Sequence, residues 1–113
     1  MEILTEINKK QNIRRHIVKG AIDLLYAIER MNELYNSPTF DPEMNFFWDL
    51  RKADLSDLSF ENIRLFSDFV AKQWSTFGKI RVSIVVSRDL DFGLSRMFQM
   101  MTENSTTSEI GVF

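Results

Sequence analysis

The apolar residues of this chain change their spacing along its length, and the changes divide it into strands and helices. Ile3, Thr5 and Ile7 alternate with Glu2, Leu4 and Glu6, which is the two-residue period of a β-strand. Ile13 and Ile17 alternate in the same way with Arg14, His16 and Val18. The polar run over residues 8–12 reads as the turn between them. The spacing predicts an antiparallel hairpin of about residues 2–8 with about 12–19.

After Gly20 the period lengthens. Ala21, Leu24, Leu25, Ile28, Met31 and Tyr35 recur every three or four residues, tracing one face of an amphipathic helix. Pro38 cannot continue a helix and biases Ser37 away from helical angles. Residues 44–50 are a short, bulky apolar run that reads as a buried strand. Ser59 is placed to cap a second helix, with its hydroxyl accepting from a free first-turn amide. The stripe Ile63, Phe66, Phe69, Val70, Trp74 and Phe77 follows, and Gly78 fits a left-handed terminator. Ile80, Val82, Ile84 and Val86 alternate with Arg81, Ser83 and Val85 in the clearest strand of the chain. Asp89 or Asp91 is placed to cap a third helix bearing Leu94, Met97, Phe98 and Met101. After a polar patch over residues 102–109, Ile110, Val112 and Phe113 begin another strand.

The order is therefore β-β-α-β-α-β-α-(β). At 113 residues the chain has the length of one domain. Strand–helix–strand units of this size imply parallel neighbours joined by right-handed crossovers. The expected fold is α/β: a mixed sheet of four to five strands that starts with the hairpin and packs against amphipathic helices.

Composition narrows the chemistry. The chain has no cysteine, which removes disulfides, thiolate metal sites and cysteine nucleophiles. Its 14 basic and 16 acidic side chains leave a net charge of -2, which points to neither nucleic acid nor an anionic membrane. No apolar stretch approaches the ~20 residues of a membrane-spanning helix, and the N-terminus lacks an apolar signal core. The expected location is cytoplasmic. The aspartates match no metal-loop spacing, and no glycine-rich phosphate loop or nucleophile elbow is present, so neither metal nor cofactor is expected. His16, the only histidine, reads as a surface or half-buried structural residue. Phe46, Phe47 and Trp48 read as core.

In open α/β sheets, ligands bind beyond the carboxyl ends of the strands. Two loops leave the expected parallel strands there, over residues 49–59 and 87–92. Each feeds a helix N-terminus. Together they offer Asp49, Arg51, Asp54, Ser56, Asp57, Ser59, Ser87, Arg88 and Asp91 as partner-binding residues. Their mixed charge suits a protein surface better than a phosphate cradle.

The stretches SPTFDPEMNFFWDLRKADLSDLSFENIRLFSDFVAKQW, RVSIVVSRDLDFGLSRMFQMM and EIGVF resemble small bacterial STAS-like proteins of the SpoIIAA-like type, distant relatives of the anti-sigma-factor antagonists. The resemblance runs over residues 36–113; the first third agrees only in its order of elements. It implies a non-enzymatic regulatory module that works through protein contacts, with a kinase or sigma-factor regulator as partner. Family antagonists carry Asp-Ser-Ser-Gly at the start of the second helix, and the first serine is phosphorylated. Here that place reads Asp57-Leu58-Ser59-Phe60. Asp57 and Ser59 match, while Leu58 replaces the phosphorylated serine. Ser59 and Ser56 are the remaining phosphorylation candidates. Relatives continue into a closing helix, whereas this sequence stops at Phe113: either the sequence is shortened, or this member lacks the helix, whose absence would expose apolar surface and favour a homodimer. The resemblance also implies an alternative, a small-ligand or lipid-binding protein of the same fold superfamily.

Overall fold

The computed structural model describes residues 1–113. Its strands are β1 (Glu2–Asn8), β2 (Ile13–Ala21), β3 (Asn45–Asp54), β4 (Arg81–Val85) and β5 (Glu109–Val112), and its helices are α1 (Leu24–Tyr35), α2 (Phe60–Trp74) and α3 (Asp89–Glu103). The expected α/β class and order of elements are present. The five strands form one mixed sheet in the order β1-β2-β3-β4-β5. β1 runs antiparallel to β2, and β2, β3, β4 and β5 are mutually parallel.

That order has a consequence. Right-handed crossovers that always step in the same direction put every helix on the same side of a sheet. The burial pattern agrees. Phe46, Val82, Ile84 and Ile110 face Met31 and Tyr35 of α1 and Val70 and Trp74 of α2 in one apolar core, with Phe98 of α3 packed against it. Ile17, Phe47, Asp49, Ser83 and Gly111 lie in the opposite register and form a face with no helix over it. The protein is two layers, with one side of its sheet uncovered.

Several boundaries differ from the sequence reading. α1 starts at Leu24 rather than Ala21, because Ala21 still pairs with Asp54 in the sheet and Asp23 caps the helix by accepting from the amides of Leu25 and Tyr26. α2 ends at Trp74, and Gly78, at φ 80°, turns the connection three residues beyond its C-cap Ser75. β3 runs on to Asp54, beyond its expected end at Leu50. An irregularity opposite Val18 lets three steps of β3 match two of β2, and such a bulge switches which side chains face inward. Ala53 therefore points into a second apolar cluster with Val18 and Leu55.

His16 is 1% exposed, which corrects its reading as a surface or half-buried residue. β2 turns Arg14, His16 and Val18 toward the helices. Its isoleucines, Ile13 and Ile17, face the other way. Arg14 is tolerated there because its guanidinium lies 4.6 Å from the Phe40 ring centre and 5.1 Å from that of Phe46. Burial lowers its pKa. Deeper in the layer, the Trp74 indole donates to the Tyr35 hydroxyl at 2.8 Å, and burial pushes that phenol up to about 12.

Candidate functional site

β3 and β4 point their carboxyl ends the same way, with β3 running five residues past its last partner in β4, and the chain leaves each toward a helix N-terminus. The rim between them is tied together by a few polar contacts. Asp54 Oδ1 accepts from the amide of Ser56 at 2.9 Å and from its hydroxyl at 2.6 Å, folding the β3 exit into a tight turn. These bonds, led by the Ser56 hydroxyl and joined by Arg88, hold the Asp54 carboxyl below its ordinary range. Arg88 reaches across to Asp54 at 3.4 Å. Its main contact is Asp91, gripped by Nε at 2.9 Å and Nη2 at 3.0 Å. The Ser87 hydroxyl donates to the Arg51 carbonyl at 3.2 Å. Asp54, Ser56, Asp57, Ser59, Ser87, Arg88 and Asp91 thus share this rim.

Asp49 does not. It sits in β3 on the uncovered sheet face, where Arg51 donates to it at 2.9 and 2.7 Å and Arg15 at 3.2 Å. The Arg51 bonds, followed by that from Arg15, hold the Asp49 carboxyl well below the usual carboxylate range. Arg51 turns its side chain to that same face and lends the rim only its carbonyl. Sequence reasoning placed Arg51 in a loop because it ended β3 at Leu50, and it gave Asp49, inside that strand, to the loop as well.

Neither Asp89 nor Asp91 caps α3. The N-cap is Arg88, whose side chain makes no capping bond. Asp91 is fully buried, and its carboxylate turns back to the Arg88 guanidinium rather than to the free amides. Removing Arg88 would strand a buried carboxylate, so Arg88 is a poor place to test surface contacts.

Ser59 is the N-cap of α2. Its hydroxyl accepts from the Asn62 amide at 3.1 Å, and the Asn62 side chain accepts from the Ser59 amide at 3.1 Å. Asn62 plays the part usually taken by Glu or Gln in a capping box. The hydroxyl also donates to the Asn62 side-chain oxygen at 2.9 Å; Ser59→Ala removes these two hydroxyl contacts and keeps the backbone one, and urea unfolding is expected to show a loss of about 1 kcal/mol. An unchanged midpoint would mean that the helix start is held by something else. Leu58, half-buried, packs on the cluster of Val18, Ala53 and Leu55; its side chain anchors the loop from below.

The rim also carries apolar residues that the sequence reading did not name as partner-binding, two of them within its 87–92 loop. Phe60, in the first turn of α2, is 57% exposed, and Leu90 and Phe92, in the first turn of α3, are 55% and 43% exposed. Phe60 and Phe92 fall off the apolar stripes of their helices, which was the signal available in the sequence. Beneath the rim, between the sheet and the helices, is a cavity of about 110 Å³ whose lining is apolar except for Ser95. Leu55 and Leu58 of the rim loop form part of its wall. No three His, Asp or Glu side chains converge to hold a metal ion, and no helix is long and apolar enough to cross a membrane.

Comparison with family models, with curated proteins and with solved structures returns no significant match.

Proposed function

We propose that this protein is a non-catalytic bacterial regulatory module of the STAS type that binds a protein partner at the rim beyond β3 and β4. The observation that carries this reading is the set of three large apolar side chains, Phe60, Leu90 and Phe92, held in water at the starts of two neighbouring helices. Aromatic residues ringed by charge are what a protein interface offers at its centre. Asp57, Ser56 and Arg88 supply the polar surround. The order of elements agrees with the family resemblance, and a kinase or a sigma-factor regulator is the class of partner it suggests.

A phosphoswitch at Ser59 is disfavoured by its capping bonds, and Leu58 has a packing role in place of a phosphorylated side chain. Ser56 is the freer hydroxyl. A phosphoryl group there would lie against Asp54, with Arg88 near enough to offset part of the repulsion.

The test is an affinity pull-down from bacterial lysate with wild type and the Phe60→Ser/Phe92→Ser double variant as baits, with phosphosite mapping on both. Both side chains are exposed, so the variant should keep its melting temperature while its recovery of the specific partner falls at least tenfold. Equal recovery by the two baits would remove the rim as the partner surface.

The cavity favours a second reading, a small-ligand protein of the same fold. Its volume is below the ~300 Å³ at the lower end of ordinary ligand pockets and nearer the ~150 Å³ that holds benzene. A single ring or short alkyl chain fits it, and a two-chain lipid does not. Native mass spectrometry that finds an apolar adduct of that size on the purified protein would favour this reading over the first.

A further inference from the structure

We propose that the free edge of β1 pairs with β1 of a second copy of this chain, antiparallel across a two-fold axis, joining two sheets into one of ten strands. β1 has a single neighbour, β2, so one side of its seven residues presents unpaired amides and carbonyls. Natural edge strands are blunted by proline, lysine, bulges, inward-pointing charge or brevity. Glu2–Asn8 (EILTEIN) has no proline, lysine, bulge or inward-pointing charge, and its two charged residues, Glu2 and Glu6, each stand opposite a cation of β2, Lys19 and Arg15. The other edge of the sheet differs: β5 has four residues, and its Glu109 is engaged by Lys79 and Arg81. On β1, Leu4 is 53% exposed and Ile7 57%.

The charge pattern selects both the occupant and the register. In β1, Ile3, Thr5 and Ile7 lie on the helix side, opposite Val18, His16 and Arg14, and Glu2, Leu4 and Glu6 on the uncovered side, opposite Lys19, Ile17 and Arg15. Each glutamate therefore already has a cation across the hairpin. In an antiparallel pair, directly opposed residues point to the same face. For two identical strands the dyad must then pass through a residue, not between two.

A dyad at Leu4 sets Glu2 opposite Glu6 of the other copy, twice. A dyad at Glu6 opposes two glutamates directly, and a dyad at Ile3 shortens the pairing. A dyad at Thr5 pairs all seven residues. It sets Ile3 against Ile7, Glu2 against Asn8, and the stem of Glu6 along Leu4, so that no two carboxylates are directly opposed. The longest register is thus also the one free of like-charge opposition. It covers the exposed Ile7, and the reversed strands point the two rims in opposite directions, so one dimer would hold two partners apart.

The absence of cysteine makes the test direct. Directly opposed Cβ atoms lie about 4.5–5.5 Å apart, near enough for a disulfide after slight adjustment. Wild type is expected to show twice the chain mass by light scattering. Thr5→Cys should cross-link to itself on mild oxidation of the full chain, and Leu4→Cys, which faces Glu6, should not. Thr5→Lys, which places like charges on the dyad, should be a folded monomer by light scattering and circular dichroism.

A wild type that stays monomeric up to its solubility limit overturns the proposal. So does a dimer that survives Thr5→Lys, or one in which Leu4→Cys cross-links as readily as Thr5→Cys. Purified protein bearing a strand of another polypeptide on this edge would likewise replace the second copy as occupant. The Phe60→Ser/Phe92→Ser variant should keep the dimer mass, which separates this result from the fate of the rim.

Discussion

Acidifying the protein from pH 6.5 to 4 is expected to remove about 3 kcal/mol of folding stability through His16 alone. The imidazole is almost wholly buried between the rings of Phe46 and Trp48, with centroids 6.0 and 4.4 Å away. Nδ1 lies 2.9 Å from the Thr5 hydroxyl, and Nε2 is buried without a partner. Burial, with the Arg14 cation beside it adding to the effect, lowers its pKa from 6.5 to about 3. Below pH 6.5 the unfolded chain takes up a proton at this residue and the folded chain does not, so stability falls as pH falls. It is fully present above 6.5 and drops by about 1.4 kcal/mol per unit on the way down.

Asp49 and Asp54 are depressed carboxylates, and their contributions are lost only in more acid solution, below about pH 4. The window from 6.5 to 4.5 therefore belongs to His16. Urea unfolding across that window should show the slope in wild type and lose it in His16→Phe, which keeps the ring stacking and cannot titrate. A flat wild-type profile, or an equal slope in the variant, would mean that the imidazole meets water or a proton acceptor in the folded protein.

His16 also shows what the sequence could and could not convey. The two-residue alternation of β2 was legible, and so was the hairpin. Which face turns inward was not, because Arg14 and His16 stand in the buried register while Ile13 and Ile17 stand in the open one. Polarity pointed the wrong way. Aromatic stacking of the guanidinium and imidazole reverses it, and that depends on Phe40 and Phe46, distant in sequence.

The ends of β3 failed for a related reason. Arg51 and Lys52 look like loop, yet the bulge opposite Val18 carries the strand past them. The Ser59 cap was legible because it is local, needing only Asn62 three residues on. The rim followed from strand order alone. Its exposed apolar residues were there to be seen, because Phe60 and Phe92 fall off the stripes of α2 and α3 that the sequence traces, but how far each stands in water depends on the packing around it.

Phe46→Ala is expected to cost about 3–5 kcal/mol, and Phe47→Ala, one residue away, about 1 kcal/mol. Phe46 is 2% exposed and joins two layers of aromatic contact. Its ring centre lies 6.3 Å from Trp74 and 6.4 Å from both Tyr35 and Phe40, in addition to His16. Truncation opens a cavity at the meeting of α1, α2 and the sheet, and it leaves the Arg14 cation only the Phe40 ring to lie on. Phe47 points to the uncovered face, where its chief partner is the Arg15 guanidinium, 5.3 Å from the ring centre. Water can take the place of what it loses. Urea unfolding of the two variants side by side separates two architectures. A sheet covered by helices on both faces makes both phenylalanines core residues, with similar, large losses. A sheet covered on one face gives a severalfold difference between neighbours. Equal losses would mean that the open face is not open in solution, and the β1 dimer cannot cover it, because edge pairing leaves both faces of a sheet as they were. A second layer, stacked on Phe47 and the Arg15–Asp49–Arg51 cluster, would then have to be sought.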